Sequence, residues 1–129
     1  MEDIKIDKKK VKVHKVLTCN VDHSVQQIAQ ILKKNKVFVV DDEAVLQGII
    51  TTTDLVYNAL AENKTSLKAA DIMEKNVGSI NMNDPLDKAF GIMNTHKTYV
   101  CAITDKGKLL GVISYHDIVG YIVSNTREE

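Results

Sequence analysis

The chain lacks a charge bias: Lys+Arg and Asp+Glu number 17 each over 129 residues. A balanced chain offers no general electrostatic case for binding nucleic acid or an anionic membrane. The run Lys8-Lys9-Lys10 is local, and reads as a solvated arm. No apolar stretch approaches the roughly 20 residues of a membrane span, and the opening "MEDIKIDKKK" has no apolar segment of the secretory kind. The expectation is a cytoplasmic chain with no membrane insertion. Cysteine is scarce, with only Cys19 and Cys101, each among apolar residues. Two buried free thiols is the simpler reading, and a disulfide between them stays open. His14, His23, His96 and His116 show no metal-ligand spacing with one another or with the cysteines. No nucleophile-elbow, Walker or dinucleotide glycine motif is present. Nothing nominates a catalytic group, so the expectation is a protein that is not an enzyme and requires no metal or cofactor.

What the chain does have is a phrase written twice. "GIITTTDL" at 48–55 and "GVISYHDI" at 111–118 share a glycine, two β-branched residues, a hydroxyl, two variable positions and an aspartate. Gly48 and Gly111 are 63 residues apart, as are Asp54 and Asp117. A period near half the length marks an internal duplication, and other features recur with it. Val25, Ile28, Ala29 and Leu32 form a helical apolar stripe, and so do Leu86, Ala89, Phe90 and Met93. Ser24 with Gln27 reads as a capping box, and Asp84-Pro85 as a cap followed by proline at the first helical position. Apolar runs at 37–40 and 99–103 each pass through a polar turn into a second run, the pattern of a hairpin. Leu55, Val56, Ala59 and Leu60, then Ile118, Val119, Ile122 and Val123, predict a helix behind each hairpin. Val16–Cys19 and Val77–Ile80 predict an opening strand for each half. Each half is thus β-α-β-β-α, a unit that buries its sheet poorly alone. The expected fold class is α+β, with two such repeats packed sheet to sheet in pseudo-two-fold symmetry. The second repeat is two residues longer between its first helix and its hairpin.

The ordered set of motifs, present twice and joined by "DIMEKNV" at 71–77, resembles a tandem pair of cystathionine-β-synthase-type (CBS) domains, a Bateman module. The resemblance spans about residues 11–124: repeat 1 at about 11–61, a linker at about 62–70, and repeat 2 at about 71–124. It implies a regulatory protein that binds AMP, ADP, ATP or S-adenosylmethionine in clefts between repeats. It further implies pairing into a homodimer and signalling to a separate effector protein. Carried over, one cleft joins Thr51 and Asp54 to Gly78, Tyr99, Val100 and Cys101. The other joins Ser114 and Asp117 to Leu17, Lys36, Val37 and Phe38.

Physical chemistry supports that assignment. Thr51 and Ser114 end a strand where a helix begins, and a helix start offers unpaired N–H groups to a phosphate. A carboxylate in the first helical turn accepts only, which suits the two donors of a ribose diol. Ordinary helix capping explains the same residues. Gly78 leaves room for a flat base near its strand, or marks a strand irregularity. The residue opening each hairpin, Lys36 in one repeat and Tyr99 in the other, would face the phosphates of its own repeat. The Thr51/Asp54 cleft should therefore tolerate more phosphate charge, unless Lys36 is simply solvated. His116, inside the second phrase, reads as a surface residue or a phosphate neighbour. The rival to a nucleotide sensor is a dimerisation or interaction module with empty clefts.

Overall fold

The computed structural model describes residues 13–32, 36–57 and 66–126, with side chains through Val123. In chain order the described elements are β1 (Thr18–Asn20), α1 (Val25–Ile31), β2 (Lys36–Val40), β3 (Leu46–Thr51) and α2 (Thr52–Leu55). Then come α3 (Ala69–Ile72), β4 (Ser79–Asn81), α4 (Asp87–His96), β5 (Val100–Asp105), β6 (Lys108–Ser114) and α5 (Tyr115–Thr126). The architecture is α+β with two three-stranded sheets, ordered β1-β2-β3 and β4-β5-β6. In each, the first pair is parallel and the second antiparallel.

The duplication extends to single hydrogen bonds at the ends of the opening strands. Each opening strand ends in an Asx turn, with the Asn20 and Asn81 side chains accepting from the amides of Asp22 and Asn83. Ser24 and Gln27 close the expected capping box on α1, which buries Val25 and Ile28. Ala29 falls outside the buried stripe and is exposed. The entry into α4 is a tight turn, with Lys88 N bonded to Pro85 O and Ala89 N to Leu86 O. The expected cap at Asp84 with proline at the first helical position is not realised: α4 begins at Asp87, its N-cap is Leu86 with no side-chain cap bond, and the Asp84 carboxylate accepts instead from Asn81 N (2.9 Å). The two hairpins turn differently. Asp41 Oδ1 accepts from the amides of Glu43 and Val45 in the first. The second is tighter, with Lys106 and Gly107 both at positive φ (52° and 84°), the pattern of a two-residue primed turn.

Each sheet has its own core. Around the first gather Cys19, Val25 and Ile28, then Val37, Val39, Ile50 and Leu55, together with Ala69 and Ile72 of α3. The second is built on Ile80, Leu86, Ala89, Met93, Cys101, Ile103, Ile113 and Ile118. Alternate residues of β2 and β5, Val37 and Val39 and then Cys101 and Ile103, belong to these cores, while Phe38 and Ala102 between them are buried as well. Full burial of each isoleucine contributes about 1.5–3 kcal/mol. Of the residues expected to carry the helices behind the hairpins, Leu55 and Ile118 are buried, while Val56 and Val123 are about 40% exposed. Ala59 and Leu60 lie outside the described residues. Cys19 and Cys101 are free and buried in separate cores, which removes the disulfide alternative.

The packing units do not follow the sequence repeats. One unit is Val16–Val77; the other joins the segment ending at Lys15 to the chain from Gly78 onward. Thus α3, which includes the start of the "DIMEKNV" stretch, packs on the first sheet. Ile49 and Glu74 form a two-hydrogen-bond bridge there (2.9 and 2.8 Å). In the other unit, His14 and Val112 form the corresponding bridge (2.8 and 2.9 Å). These bridges explain the glycine of the repeated phrase. A Cβ on Gly48 would sit 2.8 Å from Glu74 O, and one on Gly111 only 2.3 Å from His14 O. A side chain at either position would push the crossing segment off its strand.

Candidate functional site

Thr51 is the last residue of β3 and the N-cap of α2. Its Oγ1 accepts from Asp54 N at 3.1 Å, and Asp54 Oδ2 accepts from Thr51 N at 3.0 Å. The capping chemistry is realised, and acceptor and donor capacity remain after it. Among the described residues, Asp54 Oδ1 has no donor and the Thr51 hydroxyl proton no acceptor. Lys36 lies directly across the ladder from Thr51. It is half-buried, and burial lowers its ammonium pKa from the usual lysine value. No carboxylate lies within ion-pair distance of Lys36 among the described residues. Lys36 and the three threonines 51–53 line an open pocket of about 400 Å³. A desolvated cation beside hydroxyl groups is a receptor for an anion.

The second junction is wired differently. Ser114 Oγ accepts from Asp117 N (3.1 Å) and donates its single proton to Asp117 Oδ2 (2.9 Å). The same oxygen receives His14 Nε2 at 2.5 Å. His14 is brought there by its backbone bridge to Val112. His14 first, then Ser114, holds the Asp117 carboxyl below the usual aspartate range, with a smaller contribution from the charge of His116. Spacing in the sequence did not point to His14 as part of this group. Its only advance signal is Gly111, whose bare backbone admits the segment carrying it. Beside this junction an open pocket of about 410 Å³ is lined by Phe90, Tyr99, Tyr115 and the end of α4. The Tyr115 ring meets Phe90 and Tyr99 edge-on, at centroid distances of 5.4 and 6.1 Å.

The remaining expected residues fall as follows. Leu17 accepts from Phe38 N through its carbonyl (2.9 Å). Val37, Phe38 and Cys101 are buried and Val100 half-buried, so their backbones rather than side chains are what a ligand could meet. Within one unit the structure brings Lys36 to Thr51; within the other it brings Tyr99 to the Ser114 junction, where Tyr115 N donates to Tyr99 O (2.7 Å). Two expectations need correction. Gly78 does not leave space for a base on the side its Cβ would occupy, because Ile92 and His96 of α4 stand 2.7 and 3.0 Å from that point. Nor is Tyr99 the counterpart of Lys36. Lys36 pairs with Thr51, whereas the residue paired with Ser114 is Val100. The second hairpin loop is one residue shorter, which shifts the correspondence by one, and Tyr99 lies just ahead of β5. Among the described residues no group of three or more His, Cys, Asp and Glu is placed to hold a metal ion. No helix among them is long and apolar enough to cross a membrane.

Comparison with known proteins agrees with this fold. The CBS domain profile matches residues 9–60 and again 69–124. The CBS domain-containing protein YhcV of Bacillus subtilis is 24% identical over 113 residues, covering 85% of this chain and 81% of its own. The crystal structure of a CBS-domain-containing protein from Agrobacterium tumefaciens is 30% identical, with a TM-score of 0.62, covering 85% of this chain and 86% of that one. The cytosolic domain of the Mg2+ channel MgtE, solved in complex with ATP, shares the fold at 18% identity and a TM-score of 0.69. This chain spans 44% of that protein's chain. Two profile matches in tandem, over two sheets of one topology, place this chain in the CBS-domain family as a tandem pair.

Proposed function

We propose that this CBS pair is a regulatory module whose first junction binds an adenosine nucleotide. The observation that carries the reading is Lys36: half-buried, without a carboxylate partner, and facing three threonines across an open pocket. Phosphate oxygens would take the ammonium and the Thr51 hydroxyl proton. Asp54, with Oδ1 unused, retains the acceptor that a ribose diol needs. That the MgtE cytosolic domain was captured with ATP supports a nucleotide as the class of ligand. The module would pair as a homodimer and pass the signal to a separate protein rather than catalyse a reaction.

A panel of AMP, ADP, ATP and S-adenosylmethionine, with guanosine nucleotides as controls, tests this by thermal unfolding. A ligand at 100 times its dissociation constant stabilises the folded state by about 2.7 kcal/mol. A shift with adenosine compounds and none with guanosine compounds is expected. No shift with any of them would leave the second reading, an interaction module without a small ligand. The self-satisfied Ser114–Asp117–His14 group favours that reading at the second junction.

A further inference from the structure

The two junctions carry the same phrase but not the same free groups. At the first, the hydroxyl keeps its proton and the acid keeps an oxygen. At the second, Ser114 spends its only proton on Asp117, and His14 lies on the same carboxylate oxygen. A diol gripping Asp117 through both oxygens would have to displace the imidazole, and a phosphate would find no hydroxyl donor at Ser114. We propose that His14 is a specificity-determining residue that closes the second junction to nucleosides, so that each chain binds one adenosine ligand, at Thr51 and Asp54. This rests on the adenosine reading above and adds to it a stoichiometry and a residue that sets it.

The charged and titratable groups around Asp117 are His14, from the segment ahead of β1, and His116 on its own helix. His14 is suited to a removable closure. Its backbone is fixed by both hydrogen bonds to Val112, while its side chain is 40% exposed. The hydrogen bond it makes is charge-assisted at the carboxylate, the kind whose loss changes an affinity by roughly tenfold or more.

The test titrates adenosine by calorimetry into the full chain, His14→Ala and His14→Gln. One site is expected for the parent and two for His14→Ala, the second at least about tenfold tighter than any residual binding there in the parent. His14→Gln, whose amide can still donate to Asp117, is expected to keep one site. A second, ligand-free measurement follows the Asp117 carboxyl carbon by NMR, and its midpoint should rise in His14→Ala. Two equal sites in the parent, one site in His14→Ala, or an unmoved Asp117 midpoint would overturn the closure while leaving the first-junction reading intact. No adenosine binding by any of the three chains would overturn the nucleotide reading, and the closure with it.

Discussion

Replacing the glycine of the repeated phrase by alanine should unfold the chain far more readily than replacing the helical glycines Gly91 and Gly120. In Gly111→Ala the new methyl would lie 2.3 Å from the His14 carbonyl oxygen and 3.0 Å from Val13 Cγ1, at a φ of +153° that side chains rarely adopt. In Gly48→Ala it would lie 2.8 Å from the Glu74 carbonyl oxygen and 2.7 Å from Met73 Sδ. Backbone cannot rotate aside as a side chain can, so the crossing segment must lift. Each bridge has two backbone hydrogen bonds, and losing them costs about 1–3 kcal/mol. Residual crowding adds about 1–3 kcal/mol. The expected loss is therefore about 2–6 kcal/mol for Gly48→Ala, and more for Gly111→Ala, where the backbone angle is also strained. Gly91 in α4 and Gly120 in α5 have nothing within 4 Å of an added Cβ. Alanine there should stabilise by about 0.5–1 kcal/mol, because it restricts the unfolded chain. Urea unfolding monitored by circular dichroism separates the two pairs. With a slope of about 1–3 kcal/mol per molar, the first pair should drop in midpoint by about 1 M or more, while the second rises slightly. A Gly111→Ala midpoint within error of the parent, or all four variants moving the same way, would refute the account of these bridges.

Lys36→Glu should weaken ATP by far more than adenosine, because only the phosphates meet the altered charge; calorimetry giving equal losses would remove Lys36 from the phosphate site. Ser24→Ala removes the hydroxyl that accepts from Gln27 N, one half of the capping box on α1, and should cost about 1 kcal/mol in urea unfolding. Burial pushes the thiols of Cys19 and Cys101 up to about 11 from 9.0. The folded state then holds these protons longer than the unfolded state, so stability should fall as pH rises from 9 to 11. The drop should be up to about 2–3 kcal/mol per thiol. Measured against a Cys19→Ala/Cys101→Ala variant, an equal alkaline loss in both chains would contradict the burial. Asp117 has the opposite sign: its lowered pKa contributes stability above the ordinary aspartate range, lost as pH falls through the folded value. His14→Ala should flatten that acid limb.

Much of the fold could be read from the chain because its signals are local. The capping box at Ser24, the stripe through Leu86, Ala89 and Met93, and the apolar runs of β2 and β5 each involve residues within a few positions of one another. Contacts between distant segments were not legible. The bridges of Glu74 to Ile49 and His14 to Val112 use backbone groups that every residue possesses, so side-chain pattern does not announce them. His14 reaches Asp117 across 103 positions, and only that bridge makes the meeting necessary. The correspondence of Lys36 with Val100 turned on one residue in a hairpin loop, which a fixed offset of 63 overlooks. The Thr/Ser–x–x–Asp spacing was readable, yet it could not show which free protons and lone pairs survive local capping.

Each half-chain is completed by a lead-in that sequence alignment would assign to its sibling. A fragment stopping at residue 61 would forfeit Ala69, Ile72 and the strand-covering Glu74; one starting at residue 71 would lose His14 from its glycine edge. Gene fission at the apparent boundary would thus yield two incomplete products. A solitary ancestral copy would have needed a twin, covalently joined or not, to lend it the missing cover.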